Sequence, residues 1–398
     1  MNQPLFLQII ERLEGFLGKL PAAIQKPVLH ELTPLKELFL QQRAPRLVLT
    51  GSHKIPVQEM VATLFSATPS GDLRSVLMEI HRWQPTEVGK DGKVELLDAR
   101  GADAAAMRKI EEELERQPAD IFLHVIDGNS ARPVLARDVE TLSALASFGR
   151  TAETQAKVIG ISLVVPRRGS AGQNGHDGRG GTNALDKLRI ALAEKPMLRD
   201  HLVQVLELHL PAVGAISATP DPAAARLLSL LARELPNQAR VEMIRISRDR
   251  QAQAEIAQIL VKSTSAICTA VGAQPIPLAD LPILTTLQLA MVSGIMYISG
   301  RERSMRAATE FVGALGVNVG AGMILREGAR AMLKFFPGWG NVVCGMVAGA
   351  GTYGVGKAAT VYFLDGMTLK EARRTYLASR KKQPRAKLLS SVPAPDDN

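Results

Sequence analysis

Aromatic residues are scarce, with two Trp, four Tyr and ten Phe making up 4% of 398 residues. No rings interleave with the cations and no nucleic-acid recognition motif is present, so a nucleic-acid partner is not expected. Cysteine is scarcer still: Cys268 and Cys344 are the two, both in apolar helical stretches. That excludes a disulfide framework and a cysteine metal knot, and both read as small buried hydrophobes of a reducing compartment. The seven histidines do not cluster at ligand spacing; His201 and His209 flank a leucine-rich segment read as helix, where packing is their role. No metal site is expected. The start, Met1-Asn2-Gln3-Pro4, lacks a basic region, and the apolar run after it is broken by Glu11, Arg12 and Glu14, so no secretory leader is expected.

A working phosphate loop is also missing. Gly51-Ser52-His53-Lys54-Ile55-Pro56-Val57-Gln58 stands where G-x-x-x-x-G-K-[ST] belongs, between the apolar run Arg46–Thr50 and a helical segment Gln58–Phe65. In that motif glycines let backbone N–H groups curl around phosphates, the lysine neutralises them and the hydroxyl holds Mg²⁺. Here Pro56 replaces the second glycine and has no N–H. Val57 removes the cation and Gln58 the hydroxyl, leaving Lys54 as the nearby positive charge.

What is present is an ordered series of apolar runs. Lys93–Leu97 leads into Asp98-Ala99-Arg100-Gly101, Asp120–Asp127 into a helix near 134–148, and Lys157–Val165 into Pro166-Arg167-Arg168-Gly169. Gly214-Ala215-Ile216-Ser217-Ala218 follows later. Runs alternating with helical segments argue a doubly wound α/β sheet with its ligand edge at the strand carboxyl ends. In order, these segments resemble an Era/TrmE-like bacterial GTPase domain over about residues 45–236. The resemblance implies that Asp98 reaches Mg²⁺ through water, that Gly101 offers its N–H to the γ-phosphate, and that Ser217 and Ala218 form the S-A element. The base-reading N-K-x-D is absent after Val165, and Thr68 and Thr86 are switch-threonine candidates only by elimination.

The net charge is +9, and residues 366–398 hold eight Lys/Arg against three acids, a net of +5. A basic tail suits anionic lipid. Residues 4–19 and 33–43 read as helices, separated at Pro21, Pro27 and Pro34. The Gly- and Arg-rich segment 166–183 reads as a disordered insertion, followed by a helix to about His209, interrupted near Pro196. A linker is expected after Pro236, then a helix from about Ser247 to Gly272.

The final third is apolar and glycine-rich. The stretch 278–300 has no charge after Asp280 and is about long enough to span a bilayer, with further stretches at 311–325 and 335–364. Cations flank every stretch, however, and a soluble helical bundle with close-packed glycine seams explains the same residues. Gly316 and Gly320, and Gly345 and Gly349, have the spacing of close helix contacts. Pro275–Asp280, Phe336–Gly340 and Ala348–Gly356 resemble the bacterial domain-of-unknown-function family 697 over about residues 255–365. That resemblance implies architecture and membrane attachment, not a reaction.

The expectation is a doubly wound P-loop GTPase-like sheet followed by an all-α hydrophobic helical domain. Its parts are a helical arm at 1–44, a degenerate GTPase-like domain at 45–240, a helical domain at 241–366 and a basic helix and tail at 367–398. The function expected is that of a non-catalytic interaction or scaffold protein without a cofactor. It would be cytoplasmic, associated with the inner membrane through lipid contacts of 278–364 and the tail, with a GTPase paralogue as partner. The vestigial nucleotide-binding positions are Gly51, Lys54, Asp98, Gly101, Ser217 and Ala218. The alternative is a divergent GTP-binding protein with weak hydrolysis of GTP with Mg, using Lys54, Asp98 and Gly101.

Overall fold

The computed structural model describes residues 22–39, 41–65, 81–88, 92–148, 156–166, 178–211, 222–273, 280–302, 304–315 and 339–388. In chain order the elements are α1 (Ala22–Phe39), β1 (Arg46–Gly51), α2 (Val57–Phe65), β2 (Gln84–Val88), β3 (Gly92–Asp98), α3 (Ala104–Arg116), β4 (Ile121–Asp127), α4 (Ala136–Leu145) and β5 (Lys157–Val164). There follow α5 (Gly178–Ala193), α6 (Pro196–Arg199), β6 (Leu202–His209), α7 (Pro222–Glu234), α8 (Asn237–Ser247), α9 (Arg250–Gly272) and α10 (Asp280–Ile298). The last are α11 (Met305–Ala314), α12 (Trp339–Ala359), a π-helical turn Thr360–Leu364 and α13 (Leu369–Leu388). Two compact units form, Arg43–Asp249 and Met1–Gln42 with Arg250–Asn398.

In the unit Arg43–Asp249 the six strands are ordered β2-β3-β1-β4-β5-β6. Only the β2–β3 pair is antiparallel; β1 lies parallel to both β3 and β4, with Leu47 opposite Leu96 and Ile121. Strands covered on both faces have to be apolar nearly throughout, and β1, β4 and β5 are. One face packs Val48, Leu97, Phe122, Ile126 and Val158 under Ile110 and Leu114 of α3, Leu142 of α4 and Leu188 of α5. At the opposite strand ends, Arg43 grips Asp120 with two hydrogen bonds of 2.7 and 2.6 Å, and Asp120 also accepts from the Arg46 amide at 2.9 Å. The loops leaving β1 and β3 thus emerge side by side at the carboxyl edge, where the strand order reverses. This is the doubly wound α/β sheet that the sequence leads one to expect, with its first strand where the apolar run places it.

Local expectations are corrected in this unit. The last part of the segment read as helix up to His209, Leu202–His209, is instead the edge strand β6: Val205, Leu206 and Leu208 are buried, and its backbone pairs with β5 from Val158 to Val164. The expected linker after Pro236 is α8, which packs on β3, Ile246 meeting the space a Cβ at Gly92 would fill. Strand β2 carries no apolar run because it is an edge strand whose burial alternates. The insertion at 167–177 lies outside the described residues, and α5 already begins at Gly178.

In the second unit, α1 runs unbroken through the positions of Pro27 and Pro34, against the expectation of a break. Its residues Val28, Leu32, Leu35 and Leu38 are buried at helical spacing, and α1 packs on α9. That burial offsets the missing backbone hydrogen bonds, which cost about 3 kcal/mol per proline. Helix α12 lies against α9 through small residues. A Cβ at Gly345 would sit 2.6 Å from the Thr269 carbonyl oxygen, and one at Gly356 would sit 2.5 Å from Val261 Cγ2. The expected pair Gly316 and Gly320 lies outside the described residues, as do residues 4–19.

The stretch at 278–300, expected to be long enough to span a bilayer, forms the 19-residue α10. Its Leu287, Met291, Val292, Ile295 and Ile298 are covered by protein, and Gln288 donates to the Thr352 hydroxyl at 2.9 Å. No helix among the described residues is long and apolar enough to cross a membrane. Cys268 is buried in α9, where burial pushes its thiol up to about 12; it is an inert packing group.

Candidate functional site

Strand β1 ends at Gly51, whose φ of +100° is open to glycine. A Cβ there would fall 2.2 Å from the Val125 carbonyl oxygen, because the chain turns directly over β4. The next amide, Ser52 N–H, donates to that same carbonyl at 2.9 Å. Further along, Lys54 N–H points back to Ser52 Oγ at 3.4 Å and Ile55 N–H to the Ser52 carbonyl at 3.5 Å. Pro56 then supplies the carbonyl that starts α2, accepting from Met60 N–H at 3.0 Å. The amides of Ser52, Lys54 and Ile55 are therefore turned onto the protein itself, and Pro56 has none. Ile55 and Val57 are buried, and Lys54 is exposed.

The centre of this loop is filled by Arg100, the third residue of Asp98-Ala99-Arg100-Gly101. Its side chain is 2% exposed and its guanidinium clasps the Asp98 carboxylate, Nε to Oδ1 at 2.8 Å and Nη2 to Oδ2 at 2.7 Å. The Arg100 amide adds a third bond to Oδ1 at 3.0 Å. On its other side Nη1 donates to the Ser52 carbonyl at 3.3 Å and the Ile55 carbonyl at 3.1 Å. A phosphate loop aims N–H groups inward; this one aims carbonyls inward, at a cation.

Such a donor set does not fit a triphosphate and its magnesium ion. Both oxygens of Asp98, the carboxylate that the resemblance assigns to the metal, are engaged by Arg100. An anion approaching the loop would face the oxygens of Ser52 and Ile55 unless Arg100 left, and its leaving would strand a buried carboxylate. Gly101, at φ +66°, is exposed beside His53, with a Cβ position 3.1 Å from His53 Cβ. The structure thus brings Gly51, Asp98 and Gly101 together and leaves Lys54 at the rim. Ser217 and Ala218 lie outside the described residues, as does Thr68, while Thr86 is buried on β2 with its hydroxyl donating to the Gln84 carbonyl at 3.4 Å.

No protein-family model matches the chain, and no curated protein matches it. Among solved structures it is similar to Toc33 from Arabidopsis thaliana, at 13% identity over 59% of this chain and 96% of that one, with a TM-score of 0.35. A chain of an oligomerised bacterial dynamin pair is matched at 10% identity over 95% of this chain and 72% of that one, also with a TM-score of 0.35. Likeness at this level says nothing about the site, which rests on the chain's own residues.

Two residues of this region carry no motif. Arg100 stands inside the D-x-x-G segment, and its signal is a cation two residues after an acid at a strand end. His124 is fully buried on β4, its Nδ1 3.0 Å from Thr50 Oγ1 and its Nε2 without a hydrogen-bond partner. Burial lowers its pKa from 6.5 to about 4, so it is a neutral imidazole at ordinary pH. Ser162 on β5 also keeps a buried hydroxyl without a partner, packed where a Cβ at Gly128 would come within 2.7 Å. Among the described residues no group of three or more His, Cys, Asp or Glu is arranged to hold a metal ion.

Proposed function

We propose that this chain is a non-catalytic GTPase-like protein, an interaction or scaffold protein attached to the cytoplasmic face of a membrane. One observation carries the non-catalytic half: Arg100 holds both the Asp98 carboxylate and the carbonyls of the loop after β1. Phosphoryl transfer is mostly positioning and charge neutralisation, and the lysine, the hydroxyl and a disengaged carboxylate that supply them are all gone. The sheet is then a scaffold whose loops present fixed surfaces to a partner, and a GTPase relative with an intact loop is the partner that suits it. The resemblance of the apolar helical region to family 697 and the basic tail support attachment to lipid.

Titration calorimetry with GTP, GDP and ATP in the presence of Mg²⁺ tests the reading. No heat of binding is expected with any of the three. Micromolar affinity accompanied by phosphate release would overturn it in favour of a divergent GTPase working through Lys54, Asp98 and Gly101.

A further inference from the structure

Helix α13 begins with a reciprocal cap. Thr368 donates to Glu371 Oε2 through its amide at 2.9 Å and its hydroxyl at 2.8 Å, and Glu371 N–H returns to Thr368 Oγ1 at 3.3 Å. The hydrogen bond from the Thr368 backbone, above all, holds the Glu371 carboxyl below its ordinary range. The first acid of the helix is thereby turned back onto its own N-terminus. One face of α13 is covered: Ala372 and Tyr376 are buried, and the Tyr376 ring lies against Gly354 of α12, 3.1 Å from where a Cβ would be.

The uncovered side is unusual in its apolar content. Met367 is 48% exposed, Leu369 37% and Leu377 47%, and these three are among eight large apolar side chains exposed among the described residues. Lys370, Arg373 and Arg374 are exposed between them. Leu369, Arg373 and Leu377 follow one another at i, i+4 and i+8, with Lys370 and Arg374 in the adjacent row. The sequence continues with Arg380, Lys381, Lys382, Arg385 and Lys387. A single exposed leucine needs no explanation, but leucines set among cations on one helix supply both attractions of an interfacial helix. Apolar side chains enter the headgroup boundary, and lysines and arginines meet lipid phosphates. A nucleic acid would use the cations and leave the leucines in water, so a lipid surface is the better fit.

We infer that α13 and the turn that leads into it are the docking surface for an anionic bilayer, with Met367, Leu369 and Leu377 in the interfacial layer and Lys370, Arg373 and Arg374 at the phosphates. This rests on the reading of membrane attachment above and assigns it to one helix. The test is flotation of the full chain with phosphatidylcholine vesicles, with and without phosphatidylglycerol. Binding is expected only with the anionic lipid, falling as salt is raised.

The double substitution Arg373→Glu, Arg374→Glu should weaken it by about tenfold or more, since each cation near the surface contributes appreciably. Leu377→Ser should weaken it several-fold while leaving the salt dependence in place. Circular dichroism of both variants confirms that the helices are retained. Binding to anionic vesicles that neither substitution alters would overturn the assignment to α13 and leave attachment elsewhere standing. Failure of the unsubstituted chain to bind either vesicle would remove attachment itself. Tight binding of polyuridylate, insensitive to Leu377→Ser, would replace the bilayer with nucleic acid as the occupant.

Discussion

Arg100 and Asp98 are two residues apart in sequence and joined by a buried, two-pronged ion pair, with Nη2 2.7 Å from Oδ2 and side chains 2% and 1% exposed. A buried pair of this kind stabilises little compared with apolar packing, but losing one partner is costly because the other charge is left in the protein interior. The same guanidinium also satisfies two carbonyls of the loop after β1. Closure of the loop and neutralisation of the carboxylate are therefore a single event.

Arg100→Ala should destabilise the unit Arg43–Asp249 by about 3–5 kcal/mol, and Asp98→Ala by a similar amount. The double variant should cost clearly less than the sum, because each single change strands the other residue's charge. Urea denaturation of the four proteins measures this cycle. Additive losses would show that the pair does not act as one.

Gly51 and Gly101 both have positive φ, but their surroundings differ. Gly51→Ala brings a methyl group to 2.2 Å from the Val125 carbonyl and should cost more than about 3 kcal/mol, displacing the loop. Gly101→Ala meets only His53 at 3.1 Å and should cost about 1 kcal/mol. The order of the two melting temperatures checks the claim, and the reverse order would refute it.

His124 makes stability depend on pH. Its folded pKa of about 4 lies below the ordinary 6.5, so the unfolded chain takes up a proton first as the pH falls. Stability should therefore be fully present above pH 6.5 and decline as the pH drops through that window towards 4. The loss has an upper limit of about 3 kcal/mol. His124→Leu should flatten this part of the pH–stability curve in denaturant titrations. An unchanged slope would assign the effect to other groups.

Glycines of α12 should divide by what lies opposite. Gly345→Ala places a methyl group 2.6 Å from the Thr269 carbonyl of α9 and should destabilise the helical unit. Gly351→Ala has nothing within 4 Å and should stabilise it by about 0.4–1 kcal/mol, through a less flexible unfolded chain. Thermal unfolding of both variants reads the signs.

The sheet was legible because its central strands are buried on both faces. Runs such as Leu47–Thr50 and Ile121–Ile126 have few other ways to be satisfied. Edge strands follow a weaker rule. In β2, Gln84-Pro85-Thr86-Glu87-Val88 hides only alternate residues, and β6, with its leucines, fits a helical pattern until its backbone pairing with β5 is known. Proline signals misled in α1, where Val28, Leu32, Leu35 and Leu38 pack well enough to hold the helix together past Pro27 and Pro34. At the site, Pro56, Val57 and Gln58 showed which groups of the phosphate-loop motif the chain lacks. What occupies the loop was less visible, because Arg100 reads as the variable residue of a loose motif until its hydrogen bonds to Asp98, Ser52 and Ile55 are in view.

Where a nucleotide-dependent protein changes shape as it exchanges and hydrolyses its ligand, the loop after β1 here is held by a cation of its own chain, Arg100. On the proposed reading, any protein that reads the edge formed by Gly51–Pro56 and Gly101 would meet one arrangement, whatever the cell's ratio of GTP to GDP. Control over such a surface would then come from how much of the chain is made, where it is held and how long it lasts.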